Sequence, residues 1–263
     1  MATNCHQLYP HLPTFEPAPE KSVTGSRRQP AYDRGVSELR AVIIDWGGVL
    51  TQPMIDTVRA WVAADQIDWE RYVAVVGPWL TEAYAADGAD GADGAGGAAG
   101  HRSLNPVHAL ERGECTVAYF EQMLAGLLIT THGGPVLAEG LLTRMLSAGT
   151  PLPAMYELIR DLRASGVRTA LLSNSWGPAG YPRHDFPELF DAVVISGEVG
   201  MRKPEPRIFR HAAAQLNLEP AHCVFVDDVE ANVKAAVGCG MTGVHHTDPA
   251  VTRQRLTELF ANR

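Results

Sequence analysis

Several broad protein classes are excluded by what this sequence lacks. Its 263 residues include only four cysteines, Cys5, Cys115, Cys223 and Cys239. They are scattered and show no CxxC spacing, so neither a zinc site nor a disulfide scaffold is indicated. Free thiols in a reducing compartment are the expectation. No apolar run reaches the roughly 18 residues of a membrane span. The N-terminus has no apolar stretch ahead of a small-residue cleavage site, so no secretory signal is expected. Positive charge is in deficit, with 22 Lys and Arg against 30 Asp and Glu, a net charge of −8. Nucleic acid is therefore not an expected partner, because binding it needs a basic patch that displaces counterions from phosphates. A small anionic substrate stays open, since a metal ion and one or two cations dominate the field inside a cleft. What remains is a soluble, cytoplasmic protein of ordinary globular composition, 46% hydrophobic and 20% charged. Nothing in the residues fixes an oligomeric state.

Residues 1–38 are rich in Pro and polar residues and lack periodicity, which predicts a disordered tail. Its His6 and His11 read as solvated rather than metal-binding. Order begins at Ala41-Val42-Ile43-Ile44, a short β-branched run that stops at Asp45 and meets Gly47-Gly48. That is the pattern of a buried strand ending at a tight turn. Similar runs lie at 167–172, 192–195 and 223–226, and Gly243-Val244 begins a short fifth. Helical spacing separates the later runs: Met155, Leu158, Ile159 and Leu162; Ile208, Phe209, Ala212, Ala213 and Leu216; Val229, Val233, Ala236 and Val237; and finally Leu256, Leu259 and Phe260. Strands alternating with helices predict an α/β fold, a doubly wound parallel sheet covered on both faces.

More than a hundred residues separate the first two strands, far beyond the dozen or so that a simple crossover needs. Helix-like stretches fill the interval at 54–64, 69–85, 116–128 and 135–146. They predict an inserted α-helical cap over 53–149, with the catalytic core formed by 39–52 and 150–263. Within the insert, a Gly/Ala/Asp-rich stretch at 86–100 reads as a flexible loop. Its acidic repeat lacks the spacing and terminal Glu of a calcium loop.

In open parallel sheets, ligands bind at the carboxyl ends of the strands. Asp45 stands there after the first strand, Ser173 and Asn174 after the second, and Asp227 and Asp228 after the fourth. The loop 197–202 after the third leads to Lys203. Each alone is commonly a cap, a turn or a solvated charge. Together they gather three carboxylates, a hydroxyl, an amide and an ammonium at one edge. Three neighbouring carboxylates raise each other's pKa unless a cation joins them. A hard divalent ion such as Mg²⁺ suits oxygen ligands and a phosphate-bearing substrate. One carboxylate can then attack phosphorus, while Lys203 and Ser173 stabilise the equatorial oxygens.

The motifs Ala41-Val42-Ile43-Ile44-Asp45-Trp46-Gly47-Gly48, Leu171-Leu172-Ser173-Asn174, Gly200-Met201-Arg202-Lys203-Pro204 and Val224-Phe225-Val226-Asp227-Asp228 resemble, in order, the four motifs of the haloacid dehalogenase-like superfamily. The match spans about 41–247, with the helical insert in the place of the family's mobile cap. Ser173-Asn174-Ser175-Trp176 and Asp227-Asp228-Val229-Glu230-Ala231-Asn232 are especially similar to the phosphatase branch that includes the N-terminal domain of soluble epoxide hydrolase. The resemblance implies a Mg²⁺-dependent phosphatase of a small phosphorylated metabolite. Asp45 would be nucleophile and metal ligand, and Gly47 would offer its carbonyl to Mg²⁺. Ser173 and the Asn174 backbone would hold the phosphoryl group. Lys203 would bind nucleophile and phosphate. Asp228 would ligate the metal, Asp227 would stand close by or act through water, and Asn232 would support that loop.

One departure stands out. Phosphatases of the family usually carry a second Asp two positions after the nucleophile, for protonating the leaving group; here that position is Gly47. The resemblance therefore implies a good leaving group, as in acyl or sugar-1-phosphates, or a substitute proton donor. Two rivals remain: a 2-haloacid dehalogenase using Asp45 without Mg²⁺, although that branch has an aromatic residue where Gly47 stands, and a non-catalytic binding protein. Trp46 and Trp176 flank motif residues and read equally as pocket or core. His245-His246 makes a poor metal pair, since adjacent strand residues face opposite ways.

Overall fold

The computed structural model describes residues 38–84 and 105–261. The expected tail up to residue 37 and the stretch 86–100 lie outside the described residues. The chain from Glu38 onward forms one compact unit. Its five parallel strands are β1 (Ala41–Ile44), β2 (Arg168–Ser173), β3 (Ala192–Ile195), β4 (Cys223–Asp227) and β5 (Thr242–His245), in the order β3-β2-β1-β4-β5. This is an α/β parallel sheet with flanking helices. β1 is central, paired at Ile44 with Leu171 on one side and Val226 on the other.

Among the described residues, five helices lie between β1 and the helix that leads into β2: α1 (Met54–Ala64), α2 (Trp69–Ala83), α3 (Pro106–Glu111), α4 (Val117–Leu127) and α5 (Leu141–Ser147). α6 (Pro153–Ala164) then feeds β2. α7 (Phe186–Leu189) precedes β3; α8 (Ser196–Val199) and α9 (Pro206–Gln215) follow it. α10 (Glu230–Gly238) joins β4 to β5, and α11 (Pro249–Phe260) closes the described chain. None of the described helices is long and apolar enough to cross a membrane.

Strand alternation explains the layers. Val42 and Ile44 face a cluster containing Met155, Leu158, Ile159 and Leu256, from α6 and α11. Ala41 and Ile43 face the opposite cluster, with Ile208, Phe209, Ala212 and Ala236 from α9 and α10. Both faces of β1 are therefore dry, as a central parallel strand requires. Each large side chain so buried stabilises the fold by roughly 1.5–3 kcal/mol. The inserted helices have a third cluster of their own, around Trp61, Tyr72, Val76, Phe120, Leu124 and Leu142.

Local signals account for several helix starts. Asp68, Thr116 and Asp248 accept hydrogen bonds from the first-turn backbones of α2, α4 and α11. The structure departs from expectation at 135–146, where the helix begins only at Leu141. Pro135 instead forms an isolated bridge with Ile129, and Gly140, with φ of 67°, caps the helix in the left-handed region. α3 was not anticipated, although Asn105 caps it and Pro106 opens it, a recognised start signal. β2 and β4 each run one residue further than expected, placing Ser173 and Asp227 on the strands.

β5 sits tightly under α10. A Cβ added at Gly243 would stand 2.7 Å from both Val233 Cγ1 and Val237 Cγ2. Gly243→Ala is expected to lower unfolding free energy by about 1–3 kcal/mol through overpacking, read from urea denaturation midpoints at unchanged slope.

Candidate active site

The parallel pairing aligns the strand ends, and the side chains expected from sequence converge there. The Asp45 amide donates to the Val226 carbonyl at 3.0 Å, so the chain leaves β1 still paired to β4. That puts Asp45 level with Asp227 on the neighbouring strand. Lys203 arrives from the loop after α8, where Gly200 turns the chain with φ of 66°.

The Lys203 side chain is almost wholly buried, at 1% exposure, and its ammonium bridges two carboxylates. Nζ lies 2.7 Å from Asp45 Oδ1 and 2.7 Å from Asp227 Oδ2. Burial alone would lower the Lys203 pKa, but Asp227 and Asp45 overcome it and raise it. The ammonium is thus charged at every physiological pH. Asp227 is fully buried and engaged on both oxygens: Oδ1 accepts from the Val229 amide at 2.8 Å, and the Asn232 amide donates to both oxygens at 3.1 Å. Asp227 therefore fixes Lys203, and Asn232 fixes Asp227.

Asp45 is pushed up to about 7, first by burial and then by the charge of Asp227, against the opposing pull of Lys203. Asp228 is held well above the usual carboxylate range, again by burial first and then by Asp227 and Asp45. One ammonium does not neutralise three carboxylates. Asp45, Asp227 and Asp228 each offer an oxygen, and these lie within 4.8 Å of one another. This donor set fits a hard cation, which prefers carboxylate oxygens. Two further features fit it. A Cβ at Gly48, whose φ is +79°, would fall 2.1 Å from Asp228 Oδ2, so only glycine lets the loop close over that carboxylate. Asn232 Oδ1, beside Asp227, is a buried acceptor with no hydrogen-bond partner among the described residues, suited to receive a water.

Ser173, buried at the end of β2, places its hydroxyl 2.8 Å from the Tyr181 hydroxyl. Burial, with the Asp45 charge as a lesser cause, pushes the Tyr181 phenol up to about 12, so it keeps its proton. The Asn174 side chain clamps the Lys203 backbone on both sides: Nδ2 donates to its carbonyl at 3.0 Å, and Oδ1 accepts from its amide at 2.8 Å. Gly47 faces the inserted helices. A Cβ there would lie 3.1 Å from the terminal methyl of Met54, the first residue of α1. An apolar thioether therefore borders the position that lacks an acid.

Two residues that touch the candidate site escaped sequence reasoning. Tyr181 lies in a Gly- and Pro-rich loop with no periodicity. Glu111, at the end of α3, looked like one charge among many in the insert. It is fully buried and accepts from Tyr84 Oη (2.9 Å), Trp176 Nε1 (3.1 Å), Arg202 Nε (2.6 Å) and Asn174 Nδ2 (3.4 Å). Its neighbour Arg112 pairs with Glu205 at 2.6 Å. The two ion pairs thus attach α3 to the segment on either side of Lys203. Trp46 proves to be core, packed among Tyr156, Tyr181 and Phe186. Trp176 touches Phe120 and hydrogen-bonds Glu111. The adjacent histidines diverge as expected. His245 is exposed and meets the Asp228 carbonyl, whereas His246 is buried against Thr252.

Comparison with known proteins agrees with this geometry. The family described as haloacid dehalogenase-like hydrolase matches residues 39–240. A sesquiterpene phosphatase of Aspergillus oryzae is 34% identical over 112 residues, 41% of this chain and 57% of that protein. The pig bifunctional epoxide hydrolase 2 is 28% identical over 229 residues, 81% of this chain and 38% of that protein. The chain thus spans less than two thirds of the length of these relatives. Among solved structures, a haloacid dehalogenase-family enzyme of Bacteroides thetaiotaomicron, in complex with magnesium and inorganic phosphate, superposes with a TM-score of 0.55 at 18% identity. That match covers 79% of this chain and 93% of that one. At that identity the likeness speaks for the fold.

The raised Asp228 pKa has a measurable consequence. Its folded value exceeds its unfolded one, so ionised Asp228 costs stability at high pH and the cost fades as pH falls through the folded value. In metal-free buffer at pH 8, Asp228→Asn is expected to melt above wild type, with the gap closing on acidification. Scanning calorimetry across pH in the presence of chelator checks this; a variant that melts lower at pH 8 contradicts it.

Proposed function

The chain belongs to the haloacid dehalogenase-like hydrolase family, and from that premise we propose that it is a Mg²⁺-dependent phosphatase of a small phosphorylated metabolite, working through an aspartyl-phosphate on Asp45. The observation that carries this reading is the buried Lys203 ammonium between Asp45 and Asp227, with Asp228 closing the acidic cluster. Relatives named as phosphatases support it.

In this reading, Asp45 attacks phosphorus in line with the departing oxygen, and the bond to that oxygen breaks as the acyl-phosphate bond forms. Lys203 holds one Asp45 oxygen at 2.7 Å and so orients the other toward the substrate. The ammonium and the Ser173 hydroxyl stabilise charge on the phosphoryl oxygens. The Asn174 clamp keeps Lys203 in place throughout. Water then attacks the aspartyl-phosphate, releases phosphate and restores the carboxylate. Asp45, Asp228 and the Gly47 carbonyl would hold Mg²⁺, with Asp227 alongside, engaged chiefly by Lys203 and Asn232. When bound, the ion would neutralise the carboxylates and polarise the phosphoryl group.

The insert, 53–149, is assigned the role of a cap that selects substrate and excludes water, over a core formed by 39–52 and 150–263. Its own apolar cluster supports a separate body. Gly47 and the Met54 methyl beside it point to substrates whose leaving group departs without a strong acid.

The decisive experiment measures phosphate release from a panel of phosphorylated metabolites and acyl phosphates, with Mg²⁺ and with EDTA. Turnover by wild type that needs Mg²⁺ and disappears in Asp45→Asn is expected. EDTA-insensitive halide release from 2-haloacids would replace the phosphatase reading with a dehalogenase one. No turnover of either kind would favour a binding protein. A second outcome follows from Gly47→Asp, whose Cβ meets only the flexible end of Met54. It should speed hydrolysis of alkyl phosphates, which need a protonated leaving group, by at least about tenfold, with little effect on acyl phosphates. Equal effects on both classes would remove leaving-group chemistry as the explanation.

A further inference from the structure

We propose that Tyr181 is a positioning residue that aims the Ser173 hydroxyl at the phosphoryl group of the substrate; this rests on the phosphatase reading above. The two hydroxyls are 2.8 Å apart. A serine hydroxyl has one proton to donate and two lone pairs to accept with. The phenol is the more acidic partner, so it donates and the Ser173 oxygen accepts. Ser173 then keeps its own proton. The other neighbour for that proton among the described residues is the Asn174 carbonyl at 3.5 Å, the far limit of a hydrogen bond. An anionic oxygen arriving at the strand edge is a far better acceptor. Donation from Tyr181 also polarises the Ser173 hydroxyl, strengthening the bond that it makes in turn.

The phenol is held in place for this. Its ring packs on Trp46, with centroids 5.6 Å apart, and on Phe186 at 6.3 Å. Trp46 directly follows Asp45, so the nucleophile's own loop seats the ring. A tyrosine side chain has two torsions, so a packed ring leaves little freedom in where its oxygen lies. Ser175, whose hydroxyl also interacts with the Tyr181 phenol, donates to the Gly177 carbonyl at 2.9 Å and accepts from the Gly177 amide at 3.1 Å. Its own proton is therefore committed, whereas that of Ser173 is not.

The test uses the full chain with Mg²⁺ and two probes, inorganic phosphate and orthovanadate, titrated calorimetrically. The variants are Tyr181→Phe, Ser173→Ala and the pair together. Tyr181→Phe keeps the ring and removes only the hydroxyl. Vanadate, which mimics the transition state, should bind about tenfold more weakly to Tyr181→Phe, and phosphate should lose less. The double variant should be no weaker than Ser173→Ala alone, because Tyr181 acts through that serine. Unchanged or tighter vanadate binding in Tyr181→Phe overturns the proposal, since it means that the phenol was accepting the serine proton. Additive losses overturn it in favour of direct contact between Tyr181 and the ligand. Equal losses for both probes, together with a lower melting temperature, overturn it in favour of simple loosening. Wild type that binds neither probe in Mg²⁺ sinks the phosphatase reading itself, an outcome distinct from a Tyr181 failure.

Discussion

Everything near the strand edge answers to one constraint: an ammonium buried at 1% exposure between two carboxylates. A buried charge is tolerable only when it is paired and its partners' remaining lone pairs are satisfied. The chain meets that condition step by step. The pairing of β1 with β4 sets Asp45 level with Asp227. Asn232 and the Val229 amide satisfy Asp227, and Asn174 fixes the Lys203 backbone from β2. The sheet order matters because it makes β1 the neighbour of both β2 and β4. A central β1 lets the Asn174 side chain that follows one neighbouring strand and the Asp227 carboxylate of the other meet the same lysine.

The charge left over shapes the rest. Two carboxylates carry raised pKa values despite that lysine, Asp45 to about 7. In an empty pocket this is a cost; in a pocket that receives a cation, it is stored affinity. The glycine pair after Asp45 serves the same end differently. Gly48 allows the loop to approach Asp228, whereas Gly47 leaves room that the Met54 methyl borders. Both glycines make space, but one serves the acidic cluster and the other the side from which the inserted helices meet the site.

Much of this was legible in the residues. The strands announced themselves because a central parallel strand is buried on both faces and therefore reads as an unbroken β-branched run, as at 41–44 and 223–226. Asp45, Ser173, Asn174, Asp227 and Asp228 were legible as candidates because each follows or ends such a run, whereas Lys203 stands beyond α8 and was legible through its motif. Glu111 and Tyr181 were not. Their roles depend on partners 63 to 91 residues away for Glu111, in Asn174, Trp176 and Arg202, and on a loop conformation for Tyr181. No local pattern encodes either. The late start of α5 was hidden for a related reason. Apolar spacing ran on through 135–140, but Pro135 and Gly140 hold a backbone that the helix cannot adopt.

The attachment of α3 has an implication for modularity. Residues 111–113 belong to the insert by sequence, yet Glu111 reaches Arg202, Asn174 and Trp176, Arg112 reaches Glu205, and Gly113 passes so close to the Gly197 carbonyl that a Cβ would lie 2.6 Å from it. Inserted segments invite transplantation between relatives as self-contained pieces. Here the seam does not follow the strand boundaries. A chimera cut at residues 53 and 149 would import a foreign α3 against native Arg202 and leave a buried guanidinium without its carboxylate. α3 also packs within the insert, Leu110 joining its apolar cluster and Asn105 donating to the Trp79 carbonyl, so a graft of the insert has to carry Glu111 and Arg202 together.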